Sequence, residues 1–300
     1  DAAKPNRTVT HSTGTTLDNT VDFGFTTVFA LGNRVWFDTN NDSLINNGEV
    51  GINGVTVQLY AANASGNPTG GVLATDTTAT DGTNDGYYLF DYLEAGDYVV
   101  VIPDTEFASN AVLEGYWSSA TTRNADGSLT EVAAPDPDLG PDGTPGTADD
   151  DTDSNDNGTL QTAGSFNGSV ISSAVTLGPT AVEPTSEADT HDVDGQGSQP
   201  DNQANMTVDF GFYTMTLGDL VWNDANTQNN GLYESATESG IDGVEVELWS
   251  ADLSTQLDST TTAGGGLYTF TGLAQGDYIL RIPANEFEGT EELRDYVSST

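Results

Sequence analysis

Oxygen-bearing side chains recur at fixed steps along one stretch of this sequence. From Asp38 to Glu49, positions 1, 3, 5, 9 and 12 hold Asp38, Asn40, Asp42, Asn46 and Glu49. Position 7 is Leu44, which can offer only its backbone carbonyl. This is the spacing of a calcium loop, in which the last carboxylate binds through both oxygens. The chemistry needs such a pattern because calcium is hard and takes about 6–8 oxygens at roughly 2.3–2.6 Å. Those ligands must converge from one tight turn. Position 6 departs from the pattern, with Ser43 where a glycine is usual, and Gly48 is a candidate to serve the turn instead. A solvated acidic turn is the plainer alternative.

Three further acidic stretches invite the same question. Asp224 to Glu238 stands in the equivalent place of a later repeat and is three residues longer. Asp224, Asn226 and Asn230 keep part of the pattern, but Gln228 replaces the second aspartate, so a site there is weakened or absent. Asp149, Asp150, Asp151, Asp153 and Asp156 crowd into eight residues. Carboxylates this close repel one another unless a cation sits among them, or unless the segment is a flexible acidic linker. Asp189, Asp192, Asp194 and Asp201 form a sparser group.

Catalytic chemistry finds little support. The two histidines, His11 and His191, lie in polar stretches without a partner motif. There is no His-Glu-x-x-His pattern, no Gly-x-Ser-x-Gly and no phosphate loop. Carboxylates abound, but nothing in the spacing sets two across a groove as glycoside hydrolysis requires. The chain is not expected to be an enzyme.

Composition points the same way. Asp and Glu number 47 against 6 Lys and Arg, a formal charge of -41. Such self-repulsion opposes a compact state unless cations neutralise it. It also argues against nucleic acid and anionic membranes as partners, since both need basic surface. There is no cysteine, hence no disulfide and no thiolate metal site. No apolar run approaches the roughly 20 residues of a membrane helix. The chain begins at Asp1 without a signal peptide, as a processed protein or a piece of a longer one would.

The elements that must position the acidic loops come from a repeat. LGNRVWFD (Leu31–Asp38) returns as LGDLVWND (Leu217–Asp224), and GINGVTVQLY (Gly51–Tyr60) as GIDGVEVELW (Gly240–Trp249). GYYLFDYLEAGDYVVVIP (Gly86–Pro103) returns as GLYTFTGLAQGDYILRIP (Gly266–Pro283). NTVDFGF (Asn19–Phe25) returns within NMTVDFGF (Asn205–Phe212). One module is therefore expected over 28–213, with a mostly polar insertion from about 126 to 203. Residues 214–300 form the first part of a second module. Residues 1–27 form the tail of a preceding module, or of a module completed by another copy. Val297–Thr300 joined to Asp1–Thr10 aligns without a gap to Trp117–Thr130. The sequence thus reads as one period of a longer array, or as a subunit that exchanges its terminal strand.

GVTVQLY and GVEVELW alternate apolar with polar residues, as half-buried strands do. YVVVIP and YILRIP are β-branched runs stopped by proline. NG, DG, GD and NP steps punctuate them, and no segment sustains a helical period. GSVISSAVTL (Gly168–Leu177) reads as one more strand. The expected architecture is all-β, and Trp36, Trp222, Tyr88, Tyr268, Phe90 and Phe270 read as core. Tyr116 and Trp117 are the best candidates for a ligand-binding aromatic cluster. Asn-x-Ser/Thr tripeptides at Asn6, Asn41, Asn63, Asn157, Asn167 and Asn205 fit surface glycosylation or chance.

LGNRVWFDTNND, YLFDYLEAGDYVVVIP, DDDTDSNDNG and NMTVDFGFYT, in this order, resemble the SdrD B-like repeats of microbial surface proteins, relatives of Cna B-type domains. The resemblance implies tandem prealbumin-like or immunoglobulin-like β-sandwich modules with structural calcium. It places the family's metal positions on Asp38, Asn40, Asp42 and Glu49, and on Asp151, Asp153 and Asp156. It implies an extracellular, cell-surface setting in stalks, fibres, filaments or adhesins. The expected partners are other copies or repeats in a linear array, and the cell wall or extracellular matrix. Some Cna B-type domains crosslink through a Lys–Asn isopeptide bond. The one lysine here, Lys4, lies in a polar stretch, so no such bond is expected.

Overall fold

The computed structural model describes residues 25–46, 48–82, 84–135, 155–179, 199–225 and 231–299. The first unit contains strands β1 (Phe29–Phe37), β2 (Thr56–Ala62), β3 (Pro68–Thr77), β4 (Ala79–Asp81), β5 (Asn84–Leu93) and β6 (Gly96–Ile102). It continues with β7 (Trp117–Ser118), β8 (Thr122–Arg123), β9 (Leu129–Thr130), β10 (Thr159–Leu160), β11 (Val170–Ile171) and β12 (Val175–Leu177). It closes with β13 (Ala204–Asn205) and β14 (Phe210–Tyr213). The second unit contains β15 (Met215–Leu220), β16 (Trp222–Asn223), β17 (Ser239–Gly240), β18 (Glu245–Ser250), β19 (Gln256–Thr261), β20 (Leu267–Leu273), β21 (Gln275–Gly276) and β22 (Tyr278–Arg281).

The first unit is a β-sandwich. One sheet runs β4-β5-β1-β14-β7, with β13 also on β1, and the other runs β10-β11-β6-β2-β3, with β12 also on β6. Leu31, Val35, Tyr88, Phe90, Phe210 and Phe212 from the first sheet meet Val57, Leu59, Val100, Ile102, Val170 and Leu177 from the second. Each such buried side chain contributes about 1.5–3 kcal/mol over leaving it in water. The alternation of GVTVQLY and GVEVELW is realised: Val57 and Leu59 on β2, and Val246 and Leu248 on β18, point inward. The Gly168–Leu177 run is split into β11 and β12, both on β6. The break lies at Ser172, whose Oγ accepts the Val100 N–H while its own N–H reaches the Val100 carbonyl. A side chain has replaced one rung of the ladder.

Two glycines of the repeated block have the same physical reason. A Cβ on Gly51 would stand 1.7 Å from the Asp85 carbonyl, and one on Gly240 would stand 1.7 Å from that of Gly265. Both mark a crossing of backbones that leaves no room for a side chain.

β1 has neighbours on both sides. β5 pairs with it antiparallel, while β13 and β14, arriving some 170 residues later in the chain, pair with it parallel. β15, its counterpart, pairs with β20 and with no other strand among the described residues. The second unit's core is correspondingly small, with Val246, Leu248, Phe270 and Leu273 buried.

The two units touch at a polar joint. β21 joins β8 in parallel, so the β8–β9 hairpin becomes part of a three-stranded sheet. The Trp117 indole donates to the Gly272 carbonyl at 2.9 Å. The Tyr213 hydroxyl donates to the Thr121 carbonyl and accepts the Gln275 N–H at 2.8 Å. Burial is the main cause that pushes the Tyr213 phenol up to about 12.

Candidate metal centre

Strand β1 ends by delivering Asp38 into the interior, where its side chain is fully buried. The chain then turns sharply through two residues in the left-handed region, Asn41 (φ 55°) and Ser43 (φ 62°). Ser43 therefore makes the turn that glycine makes in the usual pattern. Left-handed backbone costs an L-residue roughly 1–2 kcal/mol. Asp38 offsets that cost, because its Oδ2 accepts the Ser43 N–H at 2.9 Å and its Oδ1 accepts the Asp42 N–H at 3.2 Å.

The remaining donors close around this turn. Asp42 Oδ2 receives the side-chain amides of Asn40 at 2.8 Å and Asn46 at 2.9 Å. Asp42 Oδ1 receives the Leu44 N–H at 3.0 Å. Desolvation by the turn works against the exposed Asp42 carboxylate, but the Asn46, Asn40 and Leu44 hydrogen bonds together hold it below the usual range. Glu49, nearly buried, accepts the Thr39 N–H and hydroxyl on Oε1 and the Asn46 N–H on Oε2. It thereby ties the two ends of the loop together.

Two distant segments brace the loop. The Ser119 hydroxyl donates to Asp38 Oδ2 at 2.8 Å. Leu44 forms an isolated β-bridge with Asn155, and the Asp156 N–H donates to the Ser43 carbonyl at 3.0 Å. Asp156 is itself buried, and its Oδ1 accepts the Gly158 and Gly211 N–H groups, both at 3.0 Å. Burial drives the Asp156 carboxyl well above the carboxylate range, and the charges of Glu131 and Asp38 add to that against the two hydrogen bonds. Anionic groups are thus concentrated behind this loop.

Of the sequence-derived ligands, Asp38, Asn40, Asp42, Leu44, Asn46 and Glu49 share one loop, and Asp156 is brought against it from far along the chain. Asp151 and Asp153 lie outside the described residues. In the second unit Asp224 Oδ2 accepts the Gly231 N–H at 3.0 Å, and buried Glu238 accepts the Glu234 N–H at 2.8 Å. Asn226 lies outside the described residues. Among the described residues, no three Asp, Glu, His or Cys side chains stand close enough to hold a metal ion by themselves.

The donor set nonetheless suits a hard cation. All the ligand atoms would be oxygens, and the charge of buried Asp38 is felt at buried Asp156. Asn40 and Asn46 point at Asp42 through their Nδ2 atoms, and half a turn of each amide presents Oδ1 in its place.

Sequence reasoning missed Thr39, Asn41, Ser119 and Glu131. Asn41 accepts the Ala120 N–H at 2.7 Å and donates to the Gln275 side chain at 2.6 Å, tying the loop to the joint between the units. Its Asn-x-Ser tripeptide was the only local signal. Asn157 and Asn205, also in such tripeptides, are buried among protein groups. Tyr116 packs edge-on against Phe37 with ring centroids 5.7 Å apart, and Trp117 is held at the joint by Gly272 and by Arg123 over its ring. Both act as framework.

The fold and the loop together define a β-sandwich protein with acidic, oxygen-lined turns. The SdrD B-like domain family matches residues 29–136 and 215–293. The chain belongs to that family. Serine-aspartate repeat-containing protein F of Staphylococcus epidermidis is 30% identical over 322 residues, covering 89% of this chain and 17% of that protein. Serine-aspartate repeat-containing protein D of Staphylococcus aureus (strain Newman) is 31% identical over 253 residues, covering 83% and 13%. The chain thus spans a small part of these relatives' length. Among solved structures, the minor pilin GBS52 of Streptococcus agalactiae aligns at 15% identity and a TM-score of 0.27, covering 85% of this chain and 83% of that one. The major pilin SpaD of Corynebacterium diphtheriae aligns at 11% identity and 0.19, covering 83% and 82%.

Proposed function

We propose that this chain is a structural, non-catalytic segment of an extracellular stalk, fibre or surface filament, made of tandem β-sandwich modules stiffened by calcium. The modules are those expected from the repeat: 28–213, 214–300, and 1–27 as the tail of another. Family membership supports the structural role. One observation supports the metal: a loop with calcium-loop spacing folds round a buried aspartate, with left-handed backbone at its sixth position and a second buried aspartate behind it. Asp38, Asn40, Asp42, Asn46 and the Leu44 carbonyl would hold the ion, with Glu49 and Asp156 beside them. A bound cation supplies positive charge that offsets their mutual repulsion.

Tandem modules contact only their neighbours, so stiffness of the array depends on each module and each joint. An ion that binds the folded loop and not the unfolded chain raises stability by mass action. Extracellular calcium near millimolar concentration suits sites with dissociation constants of roughly 10⁻⁴–10⁻³ M. The partners are further repeats or copies in line, and the cell wall or matrix at the ends. Differential scanning calorimetry with added calcium or chelator tests this reading. A melting profile that calcium leaves in place would defeat it.

A further inference from the structure

We infer that the edge of β15 that no strand covers among the described residues takes up the Thr20–Phe25 strand of a second copy of this chain, in parallel, so that chains join head to tail. The inference deepens the filament reading above by naming the joint. It starts from a contrast within the molecule. In the first unit, TVDFGF (Thr207–Phe212) covers the free side of β1, pairing Val35 with Phe210, Trp36 with Gly211 and Phe37 with Phe212. Phe210 and Phe212 are fully buried there. The same six residues occur once more in the sequence, at Thr20–Phe25. Phe25, the counterpart of Phe212, is 88% exposed.

The acceptor shows the complementary deficit. Phe29, Leu31, Val35 and Trp36 on β1 are fully or almost fully buried, whereas Met215, Leu217, Val221 and Trp222 are only partly covered. The Tyr88 hydroxyl donates to the Val208 carbonyl at 2.6 Å. Tyr268, in the equivalent place, meets no such carbonyl among the described residues. Docking Thr20–Phe25 on β15 would set Phe23 beside Val221, Gly24 beside Trp222 and the Val21 carbonyl before Tyr268. It would also satisfy the outward backbone groups of an edge strand.

One contact differs from the first unit. Asn33 donates its side-chain amide to Asp209 at 3.4 Å. Asp219 stands where Asn33 does, and Asp22 where Asp209 does. The joint between copies therefore opposes two carboxylates and is weaker than its intramolecular counterpart. Asp219→Asn should lower the concentration at which chains associate, by roughly tenfold.

Complementation of two defective chains tests the joint. Phe23→Ser/Phe25→Ser removes the donor's apolar anchors. Leu220→Pro removes the outward amide equivalent to that of Arg34, which donates to Asp209 in the first unit. In sedimentation velocity the unaltered chain should form oligomers that grow with concentration, and each variant alone should remain monomeric. An equal mixture should stop at a dimer of one chain of each kind. A synthetic Asp18–Phe29 peptide in excess should cut the unaltered oligomers down to single chains, a readout independent of whether either variant folds well. An unaltered chain that stays monomeric, oligomers that survive both variants, or oligomers indifferent to the peptide would each overturn the inference. Calorimetry of the monomeric variants with and without calcium judges the metal separately, so either reading can fail alone.

Discussion

β6 and β22 come from matching blocks, GDYVVVIP and GDYILRIP, yet they live in different surroundings. Tyr98 to Ile102 are buried, whereas Tyr278 to Arg281 are half-buried or exposed. The reason lies outside the blocks. β11 and β12 cover β6, and β14 covers β1, while the second unit has no counterpart of either among the described residues. The two acidic loops differ in the same way. The first is braced by Ser119 and by the Asn155–Asp156 segment, both from the later part of its own unit. Among the described residues, the second loop shows no counterpart of the Ser119 hydroxyl bond or of the Leu44–Asn155 bridge. The comparison teaches that a repeat unit's leading half supplies the loop, and its trailing half supplies the walls that hold the loop shut.

The sharpest way to break this comparison is to remove the first aspartate of each loop. Asp38→Ala leaves two backbone N–H groups and the Ser119 hydroxyl without their acceptor in a buried place. It should cost about 3 kcal/mol by urea unfolding. Asp224→Ala, which removes the acceptor of the Gly231 N–H in a half-buried place, should cost about 1 kcal/mol. Equal losses would show that the brace is irrelevant.

Calcium should sharpen the difference. At millimolar calcium and a dissociation constant near 10⁻⁴ M, the first unit gains about 1.4 kcal/mol, and the second gains less. Two calorimetric transitions, with chelator moving the one that belongs to the first unit further, are the expected outcome. Ser119→Ala should weaken the brace alone, lowering the first unit's stability by about 1 kcal/mol. It should leave the second unit's transition in place.

At neutral pH the smallest effect is at the joint, where the response appears only in alkali. Tyr213 is an acid whose folded value, about 12, lies above the ordinary phenol value of 10.0. Between these values the folded state holds the proton and the unfolded state has released it. Stability is therefore complete below pH 10 and falls as pH rises toward 12. Tyr213→Phe should make that slope shallower, the remainder coming from Tyr88, Tyr98 and Tyr268, whose phenols burial also raises. A slope as steep in the variant as in the unaltered chain would show that folding does not raise Tyr213.

Much of the loop was legible from residue order. The spacing of Asp38, Asn40, Asp42, Asn46 and Glu49 marks a turn lined with oxygens wherever the chain goes, because ligands within twelve residues meet through local backbone geometry. Ser43 shows the limit of that legibility. The absence of glycine there counted against the pattern, and Asp38 compensates by accepting the Ser43 amide. The strands were legible for the same local reason, since alternation along GVTVQLY and GVEVELW fixes which side chains face inward. The break between β11 and β12 was not, because a serine hydroxyl in place of a ladder rung leaves no mark on hydropathy.

The sequence by itself determined the strand-forming blocks, their repetition, the acidic turn and the family. Tertiary structure decided which blocks are buried, that Asp156 stands behind Asp38, and that β15 pairs only with β20 among the described residues. The division has a physical cause. Periodicity and ligand spacing are properties of neighbours along the chain, whereas burial and edge pairing depend on partners that only folding brings near.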